Sequence, residues 1–154
     1  MAEIFASSSA VIPAPPGTVY RLIADYDHGH PSILPPEYFP SLTVEAGGFG
    51  AGTRINFEMR AFGRVSRVRA NITEPEPGRR LVETAPELGL ETEFLVEPVG
   101  SGERSRTTIA TRYRRPGVRG WLERLVVPRF LRRVYDAELR LLAKRAQAAA
   151  EEPS

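Results

Sequence analysis

The last third of the chain constrains the fold most, because an amphipathic helical pattern from about Val118 to Ala150 follows a long stretch of short strand patterns. From Pro128 to Ala150 this pattern covers 23 residues, or about 34 Å at about 1.5 Å per residue. A helix of this length must bury its apolar face on another layer, and it can cross a whole curved sheet. This geometry favours a cavity between the helix and the sheet.

One carboxylate interrupts the apolar face of the helix. Glu138 lies in the middle of the stripe formed by Leu131, Val134, Tyr135, Leu141 and Leu142. Burial there would raise the pKa of Glu138 and make it a candidate proton donor or acceptor, and Tyr113 and Tyr135 could hydrogen-bond a ligand carbonyl. An ordinary ion pair at the margin of the stripe is an equally weighted alternative. The strand arginines that could pair with this carboxylate are Arg67, Arg69, Arg112 and Arg114.

Short strand patterns dominate the residues before this helix. Residues 3–12 predict a first strand, the proline-led segment after Pro13 predicts a short helix, and the proline-rich segment from His30 to Pro40 allows one short helical turn. Alternation and glycine-rich turns predict six further strands at 42–46, 53–61, 64–74, 80–85, 90–98 and 105–114. Because short loops imply antiparallel neighbours, the fold class is α+β.

Two local irregularities are also predicted. Val65 shares its parity with Arg67, whereas Val68 takes the other face, so we expect a bulge near Ser66. Pro128 is expected to separate a short helix from the long one that follows.

Composition indicates one domain without a membrane span. With 154 residues and 42% hydrophobic content, the chain suits a single core over 1–150, with a disordered tail at 151–154. No apolar run is long enough to cross a membrane, and the first residues lack the pattern of a signal peptide, so we expect a cytoplasmic location. The chain has no cysteine, which excludes disulfides and thiolate chemistry.

The basic residues concentrate near the C-terminus. Residues 112–145 hold ten arginines and Lys144 against three acidic residues. Such a surface can meet nucleic acid or an anionic membrane, but a solvated helix face is the more common reason for it. We therefore predict no nucleic-acid partner and no integral membrane association.

Both histidines lie in one acidic segment, Asp25 to His30. Neutral imidazoles and carboxylates are metal ligands, yet the spacing here fits no established metal motif, so no metal is predicted. His28 is instead a candidate general base at the mouth of the cavity, because the reference pKa of histidine suits neutral pH.

Four segments give the chain a resemblance to a known superfamily. They are IPAPPGTVYRLIADYDHGHPSILPP, GGFGAGTRINFEMR, TEPEPGRRLVE and GWLERLVVPRFLRRVYDAELRLLAKRAQ. Over about residues 3–150 the chain resembles the START-like (SRPBCC) superfamily of polyketide cyclases, dehydrases and lipid-transport proteins, and most of all its bacterial polyketide-cyclase-like branch. The resemblance implies a helix-grip fold, in which a seven-stranded antiparallel sheet wraps around the C-terminal helix and two short helices lie between strands 1 and 2.

The resemblance also implies the function. We expect a cavity that binds a lipid, a polyketide or an aromatic metabolite; the alternative is a cofactor-independent cyclase, aromatase or dehydratase, so catalysis stays open. The catalytic candidates are Glu138, Tyr135 and His28. No cofactor is predicted, and the oligomeric state is not determined. The residues predicted to contact the ligand are Tyr26, Phe57, Met59, Phe94, Tyr113, Phe130, Leu131, Val134, Tyr135 and Glu138.

Overall fold

The computed structural model describes residues 2–115 and 120–151, with the side chains of 3–114 and 126–151. It contains seven strands, three α-helices and a short 3-10 turn at Pro86–Leu88. In chain order the strands and α-helices are β1 (Ala2–Ile12), α1 (Pro16–Ala24), α2 (Gly29–Ile33), β2 (Ser41–Ala46), β3 (Arg54–Ala61), β4 (Arg64–Glu76), β5 (Arg80–Ala85), β6 (Leu90–Val99), β7 (Arg104–Arg115) and α3 (Gly120–Glu151).

The seven strands form one antiparallel sheet in the order β1-β7-β6-β5-β4-β3-β2. Consecutive strands from β2 to β7 are neighbours, as expected from their short connections, whereas β1 pairs with β7 at the far end of the sheet. The helix-grip architecture and both short helices between β1 and β2 are thus confirmed.

Alternating residues direct one face of the sheet toward the core. On β6, Thr92, Phe94 and Val96 are buried, while Glu91 on the opposite face is exposed. The connection into β6 turns at Gly89, whose φ is +62°. A Cβ atom there would lie 2.8 Å from the carbonyl oxygen of Arg114, so both the backbone angle and the contact require glycine.

The expected bulge near Ser66 is wrong. β3 and β4 pair in regular register from Arg54 opposite Asn71 to Ala61 opposite Arg64. Val65 is simply exposed, because the end of this hairpin extends beyond the core. The register of β4 shifts later in the strand, between Thr73 and Glu76 opposite β5.

The C-terminal helix α3 packs against β1, β7, α1 and α2. Pro128 lies inside this continuous helix, so the predicted break there is wrong. The helix continues although a proline removes one backbone hydrogen bond from a helix interior. Val118 and Arg119 of the predicted pattern and 152–154 of the predicted tail lie outside the described residues. No helix in the described part of the chain is both long and apolar enough to cross a membrane.

Candidate functional site

A cavity lies between the inner face of the sheet, α2 and α3. The space that the centre of a water-sized sphere can occupy in it is about 60 Å³, which is room for only a few water molecules. Its lining residues come from six elements and the segment between α2 and β2: His30, Leu34, Phe39, Leu42, Ile55, Phe57, Met59, Glu83, Leu90, Thr92, Phe94, Leu131, Tyr135 and Glu138.

The lining divides into a mouth and an interior. Leu34, Phe39, Leu42 and Met59 are half-buried, as expected for side chains near an opening. The interior residues include titratable groups that are almost completely removed from solvent, although most of the other lining residues are apolar. Buried ionisable groups are costly unless they have partners, so the contacts of each one decide what the site can do.

His30 is held rigidly at the inner end of the cavity. Its ring stacks on Tyr26 at 4.3 Å between centroids and makes a T-shaped contact with Phe94 at 5.4 Å between centroids. Its Nδ1 lies 2.7 Å from the carbonyl oxygen of Ile23; because a carbonyl only accepts, Nδ1 carries the hydrogen and Nε2 faces the cavity. Burial lowers the pKa of His30, against the opposing effect of Glu83.

Glu83 links this histidine to a buried tyrosine. The hydroxyl of Tyr26 donates to Oε1 of Glu83 over 2.7 Å, and Nε2 of His30 lies 3.4 Å from the same oxygen. Burial raises the pKa of Tyr26, and the charge of Glu83 raises it further. The phenol therefore stays protonated and remains a donor to the carboxylate.

Glu138 is the least satisfied group in the site. Its side chain is 2% exposed, and its Oε1 is buried without a hydrogen-bond partner in the described part of the chain. Burial raises the pKa of Glu138 well above its ordinary value, and the nearby charge of Glu83 adds to this rise. The strand arginines do not lower the pKa of Glu138 again by pairing with it. Arg69 pairs with Glu45, and no arginine lines the cavity among the described residues.

A chain of hydroxyls completes the interior. Tyr135 hydrogen-bonds Thr111, whose Oγ1 lies 2.8 Å from Oγ1 of Thr92. Burial raises the pKa of Tyr135 despite these bonds. The three hydroxyls have three hydrogens but share only two hydrogen bonds, so one hydrogen is spare. The terminal hydroxyl of the row, on Thr92 or on Tyr135, can donate this hydrogen into the cavity.

Six of the ten residues predicted to contact a ligand line this cavity: Phe57, Met59, Phe94, Leu131, Tyr135 and Glu138. The other four lie elsewhere. Tyr26 is fully buried behind His30, and Val134 is fully buried in the core. Tyr113 lies near the end of β7, and Phe130 faces an outer groove, where its ring packs against Phe62 and Tyr38.

The structure places the two histidines differently from the sequence-based hypothesis. The side chain of His28 is 89% exposed, and its nearest acidic partner is Asp25 at 3.8 Å. His30, two residues later, reaches the cavity instead. The signal for this choice was Ile33, because His30 and Ile33 are three residues apart and share the buried face of α2.

Sequence reasoning missed Glu83 altogether. This residue has the same parity on β5 as Leu81 and Ala85, both of which are buried. A carboxylate at a core-facing strand position was therefore a detectable signal. The same signal was available for Thr92 and Thr111, because each is a polar residue at an inward position among apolar neighbours.

Together these groups can exchange protons with a bound molecule. A protonated Glu138 can donate, whereas Nε2 of His30 and the carboxylate of Glu83 can accept. Among the described residues, no group of three or more acidic or histidine side chains has the geometry to hold a metal ion.

Comparisons with known proteins agree with this architecture. The family model described as polyketide cyclase / dehydrase and lipid transport matches residues 4–147. The KanY protein is 30% identical, with a TM-score of 0.81 over 96% of this chain and 99% of its own. The protein TTHA0849 from Thermus thermophilus is 27% identical, with a TM-score of 0.77 over the same shares, 96% and 99%.

A third solved structure shares the fold. The Zhui aromatase/cyclase from Streptomyces sp. R1128 is 17% identical, with a TM-score of 0.74 and coverage of 94% of each chain. At this identity the likeness shows the fold alone. No protein with a curated description matches the sequence significantly.

Proposed function

Because the chain belongs to the polyketide cyclase / dehydrase and lipid-transport family of the START-like superfamily, we propose that it binds a hydrophobic or amphipathic small molecule in the cavity beneath α3. A lipid, a polyketide or an aromatic metabolite would suit the lining. The observation that carries the proposal is the combination of apolar walls with a small group of polar side chains at the inner end, which is typical of ligand sites. Action in the cytoplasm stays a prediction.

Binding requires the cavity to open. Its enclosed space of about 60 Å³ is well below the roughly 300–1,000 Å³ of ordinary ligand pockets. The half-buried mouth residues Leu34, Phe39, Leu42 and Met59 are the side chains that a ligand would displace, because their surroundings are only partly packed. The deep groups His30 and Glu138 would then meet the polar end of the ligand.

Native mass spectrometry of the purified protein, followed by organic extraction, tests the proposal directly. We expect a co-purified small molecule, or saturable binding of an environment-sensitive apolar dye that lipids and aromatic compounds displace. An empty protein that also fails to bind a broad panel of apolar ligands would overturn the proposal.

A pair of tryptophan variants locates the binding site. Met59→Trp adds bulk at the mouth of the cavity, whereas Val65→Trp adds the same side chain at an exposed position on the neighbouring strand. Blocking the mouth should weaken dye binding at least about tenfold, which corresponds to about 1.4 kcal/mol. Equal affinities in the two variants would place the dye outside this cavity.

A second candidate function is proton-transfer catalysis, because an acid and two acceptors converge in one apolar cavity. In such a reaction His30 or Glu83 would remove a proton from the carbon beside a ligand carbonyl, while protonated Glu138 would donate a proton to the carbonyl oxygen. The product is the neutral enol, and all atoms and charges balance. Enolisation is a step shared by cyclase and aromatase chemistry, which makes it the minimal activity to test.

Hydrogen–deuterium exchange beside the carbonyl of α-tetralone, followed by NMR in D₂O, measures this activity. We expect the protein to accelerate exchange. Glu138→Gln should reduce the acceleration by about 10²-fold or more, and so should the variant of the residue that acts as the base, either His30→Gln or Glu83→Gln. Asp136→Asn makes the same carboxyl-to-amide replacement on the exposed face of α3 and should have no effect. Exchange at the uncatalysed rate would leave ligand binding as the only proposed function.

A further inference from the structure

The interior of the cavity holds more hydrogen-bond acceptors than donors. Nε2 of His30 carries a lone pair, because Nδ1 holds the ring hydrogen for Ile23. The carboxylate of Glu83 receives one hydrogen from Tyr26 and keeps further acceptor capacity. Glu138 adds an oxygen with no partner among the described residues. A ligand that completes these contacts must bring donors.

The charges in the cavity have one sign. Two glutamates line it, and among the described residues no arginine or lysine does. With His30 neutral and Glu138 protonated, Glu83 leaves the cavity with a net negative charge. An anionic ligand group would therefore face a buried like charge, which is strongly unfavourable, whereas one positive charge would neutralise the site.

Aromatic rings surround the same groups. Phe94 packs against His30, and Phe57 and Tyr135 also line the cavity. Carboxylates combined with aromatic faces are a common means of binding an ammonium group, because the negative faces of the rings also attract a cation.

We infer that the natural ligand of this cavity is an apolar molecule carrying a protonated amine, whose N–H groups donate to Glu83, to the unpartnered oxygen of Glu138 and to Nε2 of His30. This inference deepens the proposed function and rests on it. An ammonium supplies three donors and one positive charge, which match the free acceptors and the negative charge of the interior.

Three probes with the same apolar chain test the inference by isothermal titration calorimetry at neutral pH. n-Hexylamine carries a positive charge there, n-hexanol is neutral, and hexanoate is negative. We expect n-hexylamine to bind about 10- to 100-fold more tightly than n-hexanol, in line with hydrogen bonds to charged groups, and hexanoate to bind most weakly.

The variant Glu83→Gln removes the charge while keeping an oxygen that can accept from Tyr26. It should reduce the preference for the amine over the alcohol to less than about threefold without weakening n-hexanol comparably. Glu91→Gln is the matched control, because Glu91 is an exposed glutamate on the adjacent strand β6. It should keep the full preference.

The outcomes separate this inference from the proposed function. Equal binding of amine and alcohol, or tightest binding of hexanoate, would overturn the amine inference and leave apolar ligand binding intact. An amine preference that survives in Glu83→Gln would also overturn it, because the charge would lie elsewhere. Failure of all three probes, together with failure of the wider apolar panel, would overturn both.

Discussion

Replacing Glu138 with glutamine should change how stability depends on pH. Burial raises the pKa of Glu138 far above its ordinary value of 4.5, so in the folded protein the carboxyl keeps its proton while in the unfolded chain it ionises. As the pH rises above 4.5, the unfolded state is therefore favoured progressively. Stability is lost with rising pH until the folded carboxyl itself ionises, and it is regained as the pH falls.

The magnitude follows from proton linkage. Over each pH unit in which Glu138 ionises only in the unfolded state, the free energy of unfolding falls by about 1.4 kcal/mol. This is a sizeable share of the roughly 5–15 kcal/mol that stabilises an ordinary domain. Glu138→Gln removes this dependence. The amide also leaves a buried polar group, which costs about 1–3 kcal/mol, but this offset does not vary with pH. The difference in free energy of unfolding between variant and wild type, plotted against pH, therefore has a slope that reports the ionisation of Glu138 alone.

Urea unfolding of both proteins at a series of pH values from 4 to 8 measures that slope. We expect the variant to gain stability relative to the wild type by up to about 1.4 kcal/mol per pH unit above 4.5. Asp136→Asn, on the exposed side of the same helix, should follow the wild type. Parallel profiles for Glu138→Gln and the wild type would show that the buried acid ionises normally, and would refute the argument for a protonated donor.

Three further substitutions have defined outcomes. Because the pKa of His30 is lowered from 6.5, the wild type should lose stability relative to His30→Gln as the pH falls below 6.5, by up to about 1.4 kcal/mol per pH unit in urea unfolding. Tyr26→Phe deletes the donor to Glu83 and should cost about 1.5–3 kcal/mol in the same assay. Gly89→Ala should cost about 1–3 kcal/mol, because it combines a positive φ with a clash against β7.

Each substitution has a matched control in this chain. His28→Gln changes an exposed imidazole and should leave the pH profile unaltered. Tyr38→Phe removes a hydroxyl that does not bond to Glu83, so it should change the free energy of unfolding by less than about 0.5 kcal/mol. Gly63→Ala has a similar positive φ, but a Cβ atom there meets no other atom within 4 Å, so it should cost less than Gly89→Ala. If a substitution and its control changed the stability equally, the contact assigned to the substituted residue would not account for its effect.

The strands could be predicted closely because a half-buried sheet imposes a period of two on the sequence. β5 was predicted at 80–85 and runs from Arg80 to Ala85, and β3 differs from its prediction by one residue. The wrongly predicted bulge near Ser66 lies where the strands extend beyond the core and alternation is no longer required. Val65 lies beyond the core, so its parity carried no information about a bulge.

The helix face was predicted less completely. Of the predicted stripe, Leu131 and Leu142 are buried but Leu141 is only half-buried, and Leu139, which the prediction omitted, is 2% exposed. Because α3 contacts β1, α1 and α2 as well as β7, its buried face is wider than a single stripe.

The site could be predicted only in part, because its members come from distant segments. Glu138 was identifiable as a carboxylate on an apolar face, and that reasoning needs one helix only. The meeting of Glu138 with Glu83 and His30 depends on how α2 and α3 lie over the sheet, which no local pattern encodes. The choice between His28 and His30, by contrast, could be made from the spacing of His30 and Ile33, which lie on the same buried face of α2.

His30, Glu83 and Glu138 place ionisable groups in the cavity, where apolar side chains would carry no desolvation cost. Burial disfavours the charged form of Glu138 and of His30, and an oxygen of Glu138 has no partner among the described residues. Apolar side chains of similar volume at such positions are often neutral or stabilising. Stability therefore does not explain these residues, whereas a bound donor would satisfy the free oxygen and balance the charge of Glu83. The same groups that weaken the empty protein are the ones that a cationic ligand would need.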